Sequence, residues 1–170
     1  MKRMELITSL MNLERQGVFG LTKKDIGKLF PLENDKSMEK SLQRMVKDGL
    51  LIKAARGIYI NALVASHHKS WTLQNIANAL RPDKLSYVSF ESMLSEHGVI
   101  SQIPLSRLTV MNTGASGIHD TPCESIEFTH TKHSIPEILD RTIFVKDCPL
   151  RIAKKQAAVT DLLQEGRNTE

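Results

Sequence analysis

The stretch Val46-Lys-Asp-Gly-Leu-Leu-Ile-Lys-Ala-Ala-Arg-Gly-Ile-Tyr59 decides how this chain is read. Gly49 is placed as a helix C-terminal glycine. Leu50, Leu51 and Ile52 open a strand, and Ile58, Tyr59 and Ile60 return. The intervening Lys53-Ala-Ala-Arg-Gly57 is short, carries a glycine and holds two cations. Helix, glycine stop and β-hairpin follow one another within this run, and Tyr59 closes a small core.

Upstream, Met38, Leu42, Met45 and Val46 recur at i, i+4, i+7 and i+8, the buried stripe of a helix over Asp35 to Asp48. Asn34 or Asp35 can cap its start. Ser37, Lys40, Ser41 and Arg44 are expected on its outer face, flanked by Lys36, Gln43 and Lys47, with Glu39 off that face. Before it, Thr22 followed by Asp25 reads as a capped helix start; Ile26, Leu29 and Phe30 face inward and Pro31 ends the helix. The first helix carries Met4, Leu6, Ile7, Leu10, Met11 and Leu13 and stops at Gly17. Three helices and a hairpin in this order predict a winged helix-turn-helix over residues 1–61. Its third helix would enter the major groove and its hairpin would touch phosphate or the minor groove.

Charge agrees. Residues 1–61 hold 12 Lys/Arg against 7 Asp/Glu, net +5; residues 62–170 hold 11 against 12, net −1. A basic first third fits a polyanionic partner, although a solvated basic face has the same composition. The candidate DNA-binding residues are Lys23, Lys36, Ser37, Lys40, Ser41, Arg44, Lys47, Lys53 and Arg56. Their side chains donate hydrogen bonds to phosphates or base edges. A protein-docking module has the same element order, and the basic outer face favours DNA over it.

Residues 62–170 predict a small α+β domain, so the fold class is α+β throughout. Ala62 to Ser70 reads as a connector. Trp71 to Leu80 reads as a helix with Leu73, Ile76, Ala77 and Leu80 on one face. Leu85–Val88 is extended, and Ser89 starts a helix that ends at His97-Gly98. Strands are expected at 108–112, 124–130 and 143–145, with a turn at 113–117. A closing amphipathic helix is expected over Leu150 to Leu163.

Of the 170 residues, 41% are hydrophobic and 25% charged, as in an ordinary soluble domain. Aromatics make up 5%, too few for base-stacking platforms. No apolar run approaches the ~18 residues of a membrane span. The charged N-terminus does not fit a secretory signal. Cys123 and Cys148 make no disulfide framework, so a cytoplasmic protein with reduced thiols is expected.

Catalytic patterns are weak. Thr113-Gly-Ala-Ser-Gly117 lacks the Gly-Lys-Ser/Thr ending of a phosphate loop and reads as a turn. It also fails the spacing of a nucleophile elbow. His130 and His133 fall on opposite faces of a strand, and no Cys-x-x-Cys pair joins them. Glu124 and Glu127 likewise diverge. Neither an enzyme, a metal site nor a cofactor is expected.

Several segments together resemble the AbiEi family, antitoxins of bacterial toxin–antitoxin pairs whose toxin is a nucleotidyltransferase-like protein. Phe19–Pro31 resembles the family's second helix. Leu42–Ile52 with Arg56–Tyr59 resembles its recognition helix and wing. Tyr87-Val-Ser-Phe-Glu-Ser-Met-Leu-Ser-Glu-His-Gly-Val-Ile100 is similar to its tyrosine–serine helix and is the most specific match. Thr121–Phe128 looks like its Thr-Pro strand entry, and Leu150–Leu163 like its closing helix. The chain departs at Lys154-Lys-Gln-Ala157, where the family often has Pro-Glu-Lys-Ala, and at Cys123, where an aromatic is common. The resemblance implies an antitoxin in phage defence. Its N-terminal domain would bind an inverted-repeat operator and repress its own operon, and its C-terminal domain would neutralise the toxin, directly or indirectly. Two alternatives stay open: an antitoxin that caps its toxin with little DNA binding, and a stand-alone transcriptional regulator.

Overall fold

The computed structural model describes residues 1–65, 71–90, 92–93 and 107–166. The chain is mixed α+β with two sheets, and it divides into two compact units, Met1–Leu80 and Arg81–Glu170.

The first unit runs α1 (Arg3–Arg15), β1 (Gly20–Thr22), α2 (Lys23–Leu29), α3 (Asp35–Lys47), β2 (Leu51–Ala55), β3 (Ile58–Asn61), α4 (Ala62–Ala65) and α5 (Thr72–Leu80). Thr22 caps α2: its hydroxyl accepts from Asp25 N at 3.1 Å, and Asp25 Oδ2 accepts from Thr22 N at 3.1 Å. Asn34 caps α3, its side chain accepting from Ser37 N at 2.9 Å. The strand β1 was not expected. It is three residues long, below the reach of an alternation signal, and pairs antiparallel with β3. The resulting sheet has the order β1-β3-β2. Leu6 and Leu10 of α1, Ile26 of α2 and Met38, Leu42 and Met45 of α3 meet Leu51 and Tyr59 in one core.

The hairpin turn is tighter than the sequence suggested. Lys53, Ala54 and Ala55 remain in β2, with a bulge between Lys53 and Ala55, and only Arg56-Gly57 turns. Gly57 has φ +74, a conformation that a Cβ disfavours. Residues 1–61 were expected to form the first domain alone, but α5 packs on β1 and β3 within the same unit. A Cβ on Gly20 would lie 3.2 Å from the Asn75 carbonyl oxygen, so glycine permits this close approach. The buried residues of α5 are Gln74, Asn75, Ile76 and Ala77, not the expected Leu73 and Leu80. The His67-His68 end of the connector lies outside the described residues.

The second unit holds β4 (Ser86–Val88), β5 (Arg107–Asn112), β6 (Gly117–Asp120), β7 (Ser125–His130), α6 (Ile135–Arg141), β8 (Thr142–Ile143), β9 (Arg151–Ala153) and α7 (Lys155–Gln164). Its sheet has the order β6-β7-β5-β4-β9-β8. Two of its pairings, β5 with β7 and β4 with β9, are parallel; the other three are antiparallel. Along β5 every residue from Leu108 to Asn112 is buried, so the strand is covered on both faces and its hydropathy does not alternate cleanly. Tyr87, Phe90, Ile126 and Phe128 are fully buried around it.

Three expectations change here. The closing helix begins only at Lys155, because Arg151-Ile152-Ala153 joins the sheet beside β4. Helix α6 was missed, although Ser134 and Glu137 form a reciprocal cap: Ser134 N donates to Glu137 Oε2 at 2.7 Å. The strand β6 was not expected; only its first residue, Gly117, falls in the predicted turn. The expected helix from Ser89 to His97 falls largely outside the described residues; Phe90 and Met93 are buried as expected.

Among the described residues no helix is long and apolar enough to cross a membrane.

Candidate nucleic-acid interface

The α3 helix buries Met38, Ser41, Leu42 and Met45. That stripe fixes which residues point outward. Opposite its centre lie Lys36, Lys40, Gln43 and Lys47, all exposed. Their spacing of i, i+4, i+7 and i+11 makes one ridge along the helix. At a rise of 1.5 Å per residue the ridge is about 16 Å long.

The expected outer face was rotated from this one. Ser41 is buried, at 7% exposure, and its hydroxyl donates to Glu33 Oε2 at 3.4 Å. Ser37 Oγ donates to the same oxygen at 3.2 Å. The Arg44 guanidinium donates to the Met1 carbonyl at 3.2 Å, and the Met1 amine pairs with Glu33. The two serines therefore fasten α3 to the loop before it, and Arg44 fastens it to Met1. Periodicity of apolar residues alone could not show this, because serine is silent in a hydropathy pattern. Glu33, the acceptor common to both serines, went unnoticed for the same reason: it lies in a loop with no period.

The β2–β3 hairpin presents Lys53 and Arg56, both exposed. Gly57 O accepts from Lys23 N at 2.8 Å, which ties the hairpin tip to the first residue of α2. Lys23 is thereby brought next to the hairpin tip although 33 positions separate it from Arg56. Its ammonium also lies 3.9 Å from the exposed Asp35 carboxylate, a contact that water screens heavily. Asp25 is held below the usual carboxylate range by the Thr22 hydroxyl, with Lys28 contributing. The Tyr59 hydroxyl is pushed up by burial and by Glu39. Glu39 thus interacts with β3, at the edge of the ridge.

Six of the nine predicted residues fall into two groups. Lys36, Lys40 and Lys47 lie on the ridge, and Lys23, Lys53 and Arg56 gather at or beside the hairpin, while Arg44 is exposed but engaged with Met1. The remaining two are the serines that Glu33 holds.

The second unit contains a buried polar cluster that sequence reasoning did not find. Asp161 of α7 is fully buried. It accepts from Ser89 Oγ at 2.7 Å, from Tyr87 Oη at 3.2 Å and from Arg141 Nη2 at 2.5 Å. Arg141 Nη2 also donates to Ala157 O at 3.3 Å, and His133 Nε2 lies 2.6 Å from Arg141 Nη1. Burial pushes the Tyr87 hydroxyl far up, the Asp161 charge adds to that, and Arg141 opposes it. The cluster joins β4, the end of α6 and α7. Its members are separated by up to 74 positions, so no local motif announces it. Among the described residues no group of three His, Cys, Asp or Glu side chains could hold a metal ion. No family model, curated protein or solved structure matches the chain.

Proposed function

We propose that the first unit is a winged helix-turn-helix that binds double-stranded DNA, and that the chain is an AbiEi-type antitoxin which represses its own operon. The carrying observation is the exposed ridge of α3, with three lysines and one glutamine on the side opposite the core. The hairpin adds Lys53 and Arg56, and Lys23 is tied to its tip. An amphipathic helix with cations on its free face, next to a basic hairpin, meets the chemical demands of a groove flanked by phosphates. The antitoxin role, and neutralisation of a nucleotidyltransferase-like toxin by the second unit, are supported by the sequence resemblance.

Binding to the duplex upstream of its own gene, compared with a scrambled duplex at two salt concentrations, tests this reading. Preference for its own site, weakened by salt, is the expected result. Equal affinity for both would leave a basic patch without sequence reading, and no binding to either would overturn the DNA assignment.

A second reading, direct capping of the toxin, is favoured by one feature of the second unit. Ile135 and Leu139 of α6, with Phe144 just past β8, are exposed. Stable co-purification with the toxin in the absence of DNA would support it.

A further inference from the structure

We infer that Gln43 is the residue of α3 that reads a base, that it selects an A·T pair, and that Lys36, Lys40 and Lys47 around it hold phosphates. This rests on the DNA-binding reading above and deepens it.

The argument begins with what each side chain on the ridge can recognise. A lysine ammonium only donates, and it carries the charge that phosphate attracts. An amide both donates and accepts. In the major groove adenine presents an acceptor at N7 beside a donor at N6, and a glutamine amide matches both at once. Gln43 is the one ridge residue with that pair of functions. The other α3 side chains that combine donor and acceptor are Ser37 and Ser41, and both donate to Glu33.

Position supports the same division. Lys36 and Lys47 stand at the two ends of a ridge about 16 Å long, whereas the major groove is about 12 Å wide. In the proposed docking α3 lies across the groove, so its ends reach the walls, where phosphates lie, and its middle faces the floor. Gln43 is in the middle, within one turn of Lys40 and of Lys47. Three exposed acids flank α3, and Asp48 directly follows Lys47. Glu39 interacts with Tyr59 on the wing side, and Asp35 lies near Lys23. None of the three is in line with the ridge.

Selection from a pool of randomised duplexes, using the full chain, tests this. Wild type, Gln43→Ala, Gln43→Arg and Lys47→Ala would be compared by sequencing the bound DNA and by measuring affinity for the selected site at two salt concentrations. Circular dichroism should match for all four, since both mutated positions are exposed. Wild type is expected to select a motif containing at least one fixed A·T pair. Gln43→Ala should lose preference at that pair alone, binding the motif about 5- to 150-fold more weakly with an unchanged salt slope. Gln43→Arg should shift the preference there towards G·C. Lys47→Ala should keep the motif and lower the salt slope by about 1. If wild type selects a motif and Gln43→Ala selects the same one, the base-reading role is overturned while DNA reading stands. If wild type binds no duplex, or binds all alike, both fail together.

Discussion

Removing the Asp161 carboxylate would strip the Arg141 guanidinium of its buried ion-pair partner. Asp161→Ala is therefore expected to cost about 3–5 kcal/mol, the range for breaking a buried ion pair from one side. Urea unfolding measures it, and a loss below about 1 kcal/mol would show that water reaches the site. Tyr87, in the same cluster, makes a statement about alkali. Its hydroxyl holds its proton more tightly in the folded chain than in the unfolded one, because burial and Asp161 both oppose the phenolate. That contribution is complete below the ordinary tyrosine value, near pH ~10, and is lost as the pH rises towards the folded value. Tyr87→Phe should flatten the fall of stability above pH ~10, and an alkaline limb identical to wild type would contradict the assignment. On α3, Lys40→Ala should weaken binding to every sequence alike and lower the salt slope by about 1.

Helix caps carry the element-scale predictions. Thr22→Ala removes the acceptor for Asp25 N and should destabilise the chain by about 1 kcal/mol in a urea titration. The same contact sets a pH dependence. Asp25 has a folded value below its unfolded one, so its contribution is present above pH ~4 and is lost as acid takes the pH through the lowered value. Thr22→Ala should therefore also flatten the acid limb, and an unchanged limb would assign Asp25's shift elsewhere. Glu137, drawn down by Ser134, follows the same sign at the start of α6. These caps also show where sequence reading works. Thr22 with Asp25, Asn34 before α3 and Gly49 after it are local signals, and the elements they bound fall where expected. The same reasoning missed α6, whose Ser134 and Glu137 give an equally local signal, because its seven residues are too few to show a helical period. It missed β1 and misread β9 for a physical reason. A three-residue strand exists only through its partner, and the partners β3 and β4 are remote in sequence. The candidate interface was legible as a set of cations, but its orientation was not. Ser41 looks solvent-facing by type, and its burial and its bond to Glu33 show that α3 is turned to bring Lys36, Gln43 and Lys47 outermost.

Each of the two compact units has a hydrophobic core of its own, and the boundary between them can be tested by cutting. A fragment of residues 1–80 retains α5 over Gly20 and β1. It should fold and bind DNA with the salt slope of the full chain. A fragment of residues 1–61 loses that cover from a domain already small enough to be marginal, and it should show a broadened thermal transition. Equal transitions for the two fragments would place α5 outside the first unit's cooperative core.

The pairing of β4 with β9 gives the chain an order in time. The first unit draws every strand and its core from residues that leave the ribosome early and close together. The second cannot complete the middle of its sheet until Ile152 arrives beside Val88, and the Tyr87–Ser89 pair waits still longer for Asp161. At about 5–20 residues per second that delay lasts several seconds. During it a nascent chain would hold a finished first unit and an unfinished second one. If the proposed roles are assigned to these units, the capacity to meet DNA matures before the capacity to meet a toxin, on every molecule made.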